Sequence, residues 1–158
     1  MGKGQGDNFG MTFEQWLFQL RPGFPQLTAA NSRLTSPEDE DYNCIAWAAE
    51  NSDRWWWPDP QQQSYWPAAV ARVETVDAFV EAYGTLGYTE RTGAVLEAGK
   101  QKVAIYASPQ GKPTHAARQR PDGWWASKLG RVIDIEHELT AVEGPTYGAV
   151  VVVLARAS

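Results

Sequence analysis

Lys102-Val103-Ala104-Ile105-Tyr106-Ala107-Ser108-Pro109-Gln110-Gly111-Lys112-Pro113-Thr114-His115-Ala116-Ala117-Arg118-Gln119-Arg120-Pro121-Asp122-Gly123-Trp124-Trp125-Ala126-Ser127-Lys128 is the stretch on which the fold turns. Residues 102–107, 114–119 and 124–128 read as three strands, since each run is short and bounded by punctuation. Pro109-Gln110-Gly111 and Pro121-Asp122-Gly123 are turn signals of hairpin length, so the three strands should form an antiparallel meander. Downstream, residues 147–156 supply a final strand, and its unbroken valines predict burial on both faces.

Upstream of residue 101 the period is helical. Thr12 opens a helix that runs to about Leu20, with Phe13, Trp16, Leu17 and Leu20 on one face, and Pro22-Gly23 stops it. A second helix has Thr75 as N-cap, Asp77 in its first turn, and Val76, Phe79, Val80 and Tyr83 at amphipathic spacing. Gly84 or Gly87 ends it. Residues 24–43 read as loop, and a short apolar helix begins at Cys44 and runs to about residue 51. The prolines of residues 54–67 exclude regular structure, which leaves a long aromatic loop. Helices first and an antiparallel sheet last predict an α+β fold, with the helices packed on one face of the sheet. Residues 1–10, small and polar, read as a disordered N-terminus, and residues 11–158 as a single domain.

Bulk composition narrows the function. A net charge of −5 argues against general nucleic-acid binding, and no apolar run reaches the ~20 residues of a membrane span. The start shows no apolar signal region, so a cytoplasmic setting is expected. A single cysteine rules out an internal disulfide framework, and there is no CxxC or HExxH zinc pattern. Cys44, His115 and His137 would make three zinc ligands but lack motif spacing, so neither a metal nor a cofactor is expected.

Cys44 carries the chemistry. It follows the turn-forming, acidic run Ser36-Pro37-Glu38-Asp39-Glu40-Asp41 and opens an apolar helix. Free N–H groups at a helix start favour a thiolate over a thiol. The chain holds two histidines, and His115 sits on a strand read from the sequence, as the base of a thiol nucleophile would. Lys112, Arg118, Arg120, Lys128 and Arg131 against Asp122 alone make residues 111–131 basic, a face that could favour a thiolate or receive an anionic group. Of the eight tryptophans, Trp16 and Trp47 are assigned to the core. Trp55, Trp56, Trp57 and Trp66 are candidates for a cleft wall or partner surface.

Cysteine at a helix start followed by three strands, with histidine on the second, resembles the papain-like thiol hydrolases, and most closely their NlpC-type and CHAP-like branch. Tyr42-Asn43-Cys44-Ile45-Ala46-Trp47 resembles the nucleophile segment of that branch, with Asn for Asp, and Thr114-His115-Ala116-Ala117 resembles its histidine strand. The resemblance implies Cys44 as nucleophile and His115 as general base. An alternative register would put Lys102 at the base position, where its amine would need a pKa lowered by several units. The third polar group, which orients the imidazole, is expected to be Ser127 or, failing that, Asp134; Glu136 and His137 are further candidates. Asn43 would help fix the turn, while Trp56, Trp57 and Trp66 would line the substrate groove. The implied function is a cysteine hydrolase or acyl/peptidyl transferase acting on a peptide or other amide. The alternative is a non-catalytic interaction module of the same fold that presents its Trp-rich loop to a protein partner. Asn43-Cys44-Ile45-Ala46-Trp47-Ala48, Ser127-Lys128-Leu129-Gly130 and Asp134-Ile135-Glu136-His137 are also similar to segments of a group of bacterial proteins of unknown function.

Overall fold

The computed structural model describes residues 12–36, 45, 48–49, 56–129 and 133–158. Asn43, Cys44, Trp47 and Trp55 lie outside the described residues, as do residues 1–10 and most of the short helix expected from Cys44. In chain order the elements are helix α1 (Phe13–Leu20), β1 (Ser32–Ser36), α2 (Val76–Gly84), β2 (Glu90–Thr92), β3 (Lys100–Ala107), β4 (Pro113–Gln119), β5 (Trp125–Leu129), β6 (Ile133–His137), a 3-10 turn (Leu139–Val142) and β7 (Ala149–Ala157). The strands form one seven-stranded sheet in the order β1-β6-β5-β4-β3-β7-β2, with every pairing antiparallel.

The meander is present, and its two turns share one chemistry. In each, the residue before proline accepts from the glycine three positions on, Gly111 N to Ser108 O at 2.8 Å and Gly123 N to Arg120 O at 2.9 Å. The glycines hold φ of 85° and 95°, the left-handed backbone that closes a three-residue hairpin loop and that other residues adopt at a cost. Both helix starts also follow the sequence. Thr12 and Gln15 form a reciprocal capping box on α1, and the Thr75 side chain accepts from Ala78 N on α2.

Three strands go beyond the sequence reading. The segment 24–43, expected to be loop, contains β1, whose polar Ser-Arg-Leu-Thr-Ser run pairs with β6 as an edge strand. β2 is three residues long and pairs only with β7. β6 extends the meander by one strand, paired with β5 from Trp125↔His137 to Leu129↔Ile133.

The helices do not share a face, which corrects the expected layering. Side chains alternate across a strand, and along β3 Val103 and Ile105 pack with Phe79, Ala82 and Tyr83 of α2. Ala104 and Tyr106 instead pack with Leu17 of α1 and with Phe24 and Leu27 after it. The sheet is therefore covered on both sides. The valines of β7 are buried only from Val152 onward; Val151 is half exposed.

Trp56 and Trp66 are core residues, each about 4% exposed. The Trp66 indole packs on Phe79 with ring centres 5.0 Å apart and donates to Ala71 O at 3.0 Å. Trp56 packs on Tyr65 at 4.8 Å. Burying an indole contributes more than most side chains in so short a loop, which is why the loop turns these two inward. Trp57 is half-buried, stacked edge-on against Phe79.

Where β7 begins, backbone meets backbone. Gly148 has φ of 75°, and a Cβ there would fall 1.9 Å from Ala107 O. Gly148→Ala is expected to lower stability by at least ~2 kcal/mol, from left-handed strain together with the forced displacement of β3. The shift in denaturant midpoint at unchanged slope measures it.

Candidate functional site: a buried histidine–serine–histidine chain

His115 on β4 pairs with Tyr106 across the β3 ladder, so its ring lies on the α1 side of the sheet. The ring is fully buried and stacks on Tyr147, with centres 3.9 Å apart and planes 6° from parallel. Ser127 stands one step along β5 on the same side, diagonal both to His115 and to His137 of β6. The contact expected between His115 and Ser127 is present: His115 Nε2 lies 2.8 Å from Ser127 Oγ. The same hydroxyl lies 2.6 Å from His137 Nε2. All three side chains are fully buried.

The protons of this chain follow from its last acceptor. His137 Nδ1 lies 2.7 Å from the carbonyl oxygen of Glu138, and a carbonyl only accepts, so Nδ1 carries the hydrogen. In the neutral ring Nε2 is then an acceptor and receives the Ser127 hydroxyl hydrogen. Ser127 Oγ in turn accepts from His115 Nε2–H. Three donors therefore point one way, toward Glu138. His115 Nδ1 is left as a bare lone pair, buried and without a hydrogen-bond partner among the described residues. Burial holds both imidazoles neutral: it carries the His115 pKa well below the ordinary value, with further lowering by His137, and takes His137 to about 4.

The other acidic candidates lie elsewhere. Asp134 pairs with Lys128, one position out of phase with Ile133 and Ile135, so it occupies the opposite side of the sheet from His115. There its carboxylate stands 3.9 Å from Lys128 Nζ, both residues being buried. Glu136 shares that side and is bound by Arg33 at 2.7 Å, with Arg120 at 3.4 Å. Arg33 also holds Asp122, and of the basic run Lys112 lies 3.6 Å from Glu74. Lys102 is fully buried, its ammonium held by Gly93 O, Val95 O and Glu97, which commits it to the β2–β3 loop.

Ile45, which follows Cys44 in the chain, is fully buried on the α2 side with Val103, Ile105 and Ala116. Its carbonyl accepts from Tyr83 Oη at 2.8 Å. Ile45 and His115 are therefore on opposite sides of the sheet. A cavity of about 560 Å³, bordered by Lys100, Gln101, Arg118 and Arg120, lies at the end of β4 away from His115. Among the described residues no group of acidic, histidine or cysteine side chains could hold a metal ion, and no helix is long and apolar enough to cross a membrane.

His137 is the residue that sequence reasoning ranked too low. Ile133-Asp134-Ile135-Glu136-His137 alternates strictly, which places the histidine in phase with two buried isoleucines. That period was the available signal.

With this geometry in hand, residues 33–155 match the model of a family described as a domain of unknown function, DUF7689, and the chain belongs to that family. The match agrees with the similarity to proteins of unknown function. No curated protein and no solved structure matches the chain.

Ser127→Ala should strand His137 Nε2 and His115 Nε2–H together. The expected loss is about 1–3 kcal/mol for each group left unpaired. Chemical denaturation measures it, and a loss below ~0.5 kcal/mol would show that the hydroxyl is not the link.

Proposed function

We propose that this domain is a non-catalytic interaction module. The observation that carries the reading is the position of His115: fully buried, tied through Nε2, and on the side of the sheet away from Ile45. A general base must reach the proton it removes, and an imidazole buried this way is held neutral. The loop of residues 56–66 supports the same reading. Trp56 and Trp66 anchor it from within, while Trp57 and Tyr65 stay part-exposed. Part-exposed aromatics on an anchored loop suit a protein partner, because little conformational freedom remains to be lost on binding.

A second reading, the cysteine hydrolase or acyl transferase, has one observation in its favour. His115 Nε2 is tied to Ser127 while Nδ1 stays bare, which is how an acid–base imidazole is held. In that reading Cys44 attacks the acyl carbon of a peptide or amide, a thioester forms, and water or an amine resolves it.

Alkylation of Cys44 by iodoacetamide across pH separates the two. For the module, the rate should rise with a midpoint at or above the ~8.5 of an ordinary thiol, and His115→Asn should leave it in place. A midpoint well below that value, raised by His115→Asn, overturns the module in favour of the enzyme. For any partner recovered with the wild-type chain, Trp57→Ala should weaken binding at least ~10-fold, while the thermal unfolding midpoint falls only by the loss of its edge contact with Phe79.

A further inference from the structure

The backbone ladder between β4 and β5 is short. Strand pairing is confined to Arg118↔Ala126 and Gln119↔Trp125, next to the turn, whereas β3 pairs with β4 from Val103↔Arg118 to Ala107↔Pro113. Beyond Arg118 the seam is bridged by side chains, His115 on one strand and Ser127 on the other, with His137 behind. We propose that the His115–Ser127–His137 chain is an acid-released latch, which holds the β4–β5 seam shut while both imidazoles are neutral and lets it part when they take up protons.

The hydrogen-bond directions supply the mechanism. A proton added at His115 Nδ1 makes a buried N–H with no acceptor. A proton added at His137 Nε2 turns a second N–H donor onto Ser127 Oγ, and the serine hydrogen then loses its acceptor. Either event also buries a cation. Among the described residues, the groups packed against the chain are uncharged: Tyr106 from β3, Tyr147 ahead of β7, Ser32 from β1 and the Glu138 carbonyl; the Glu143 carboxylate acts on Tyr106 and accepts from Val150 N. The Tyr106 phenol is itself held neutral by burial, with Glu143 raising its pKa further. Asp134 and Lys128 lie across the sheet. Parting the seam brings water to the rings, so the open form binds protons that the closed form refuses.

Because both folded-state values are depressed, the latch is intact above the open-state histidine value of ~6.5 and weakens as pH falls toward the closed-state values, about 4 for His137. Between these limits the opening equilibrium should grow up to about tenfold per pH unit for each histidine protonated. Hydrogen exchange read as protection factors tests this between pH 7 and 5, above the range in which ordinary carboxylates titrate. The expected result is a fall of at least ~10-fold for amides of β4 and β5 facing the seam, with α2 and the β3–β7 ladder unchanged. Uniform loss across the protein, or none, overturns the proposal. His115→Gln with His137→Gln keeps neutral groups at the Nε2 positions and should hold its seam protection flat across this range. A double variant that opens with the wild-type pH dependence also overturns it. Should that variant fail to fold, imidazole NMR titration of the wild type decides: depressed values coupled to loss of the Tyr147 ring-current shift support the latch, and ordinary titration in a closed seam ends it.

Discussion

A sheet covered on both sides imposes one rule on this chain: each residue of a central strand belongs to one core or to the other. β3 shows the rule most fully, with Val103 and Ile105 given to α2 and Ala104 and Tyr106 to the α1 side. The hairpins pass this phase to their neighbours. Tyr106 fixes the side of His115, Ser127 follows through the turn at Gly123, and His137 follows through the β5–β6 register. A slip of one residue in one hairpin would send the polar side chains on the strands after it to the opposite core and break the chain.

Two buried polar systems result, one on each side of the same strands. On the α1 side the chain of His115, Ser127 and His137 is uncharged and its hydrogens run one way. On the other side Lys128 and Asp134 are a buried pair of opposite charge. Their energetics differ in kind. A neutral chain with one lone pair left bare, at His115 Nδ1, costs less to bury than an isolated charge, while a buried ion pair carries a desolvation cost that its own attraction must offset. The neutral chain is sensitive to acid because its neutrality is what makes it compatible with the core.

Function follows the same division. Ile45 and Ala48 join the α2 core, and the loop from Trp56 to Trp66 is pinned beside them by indoles packed on Phe79 and Tyr65. His115 belongs to the other core. The reading as an interaction module and the reading as a thiol hydrolase differ on whether Cys44 meets an imidazole, and the alkylation profile reads this contact.

Much of this was legible in the sequence. The two Pro-x-Gly turns specified the meander, Thr12 and Thr75 specified the helix starts, and the spacing of Phe79 and Tyr83 specified the buried face of α2, because turn chemistry, capping and helical period are local. The contact of His115 with Ser127 was legible too, since adjacent strands of a hairpin bring such residues together. Tertiary structure decided the rest. β1 and β2 are short polar edge strands whose pairing partners lie far away in sequence, so no local period marks them. Trp56, Trp57 and Trp66 differ in exposure although all three sit in one aromatic loop, because contacts with the rest of the core, and not the local sequence, set how far each is buried. The side of the sheet on which each helix packs was likewise undetermined: a strand buried on both faces shows apolar residues at every position, and its pattern cannot say which helix covers which face.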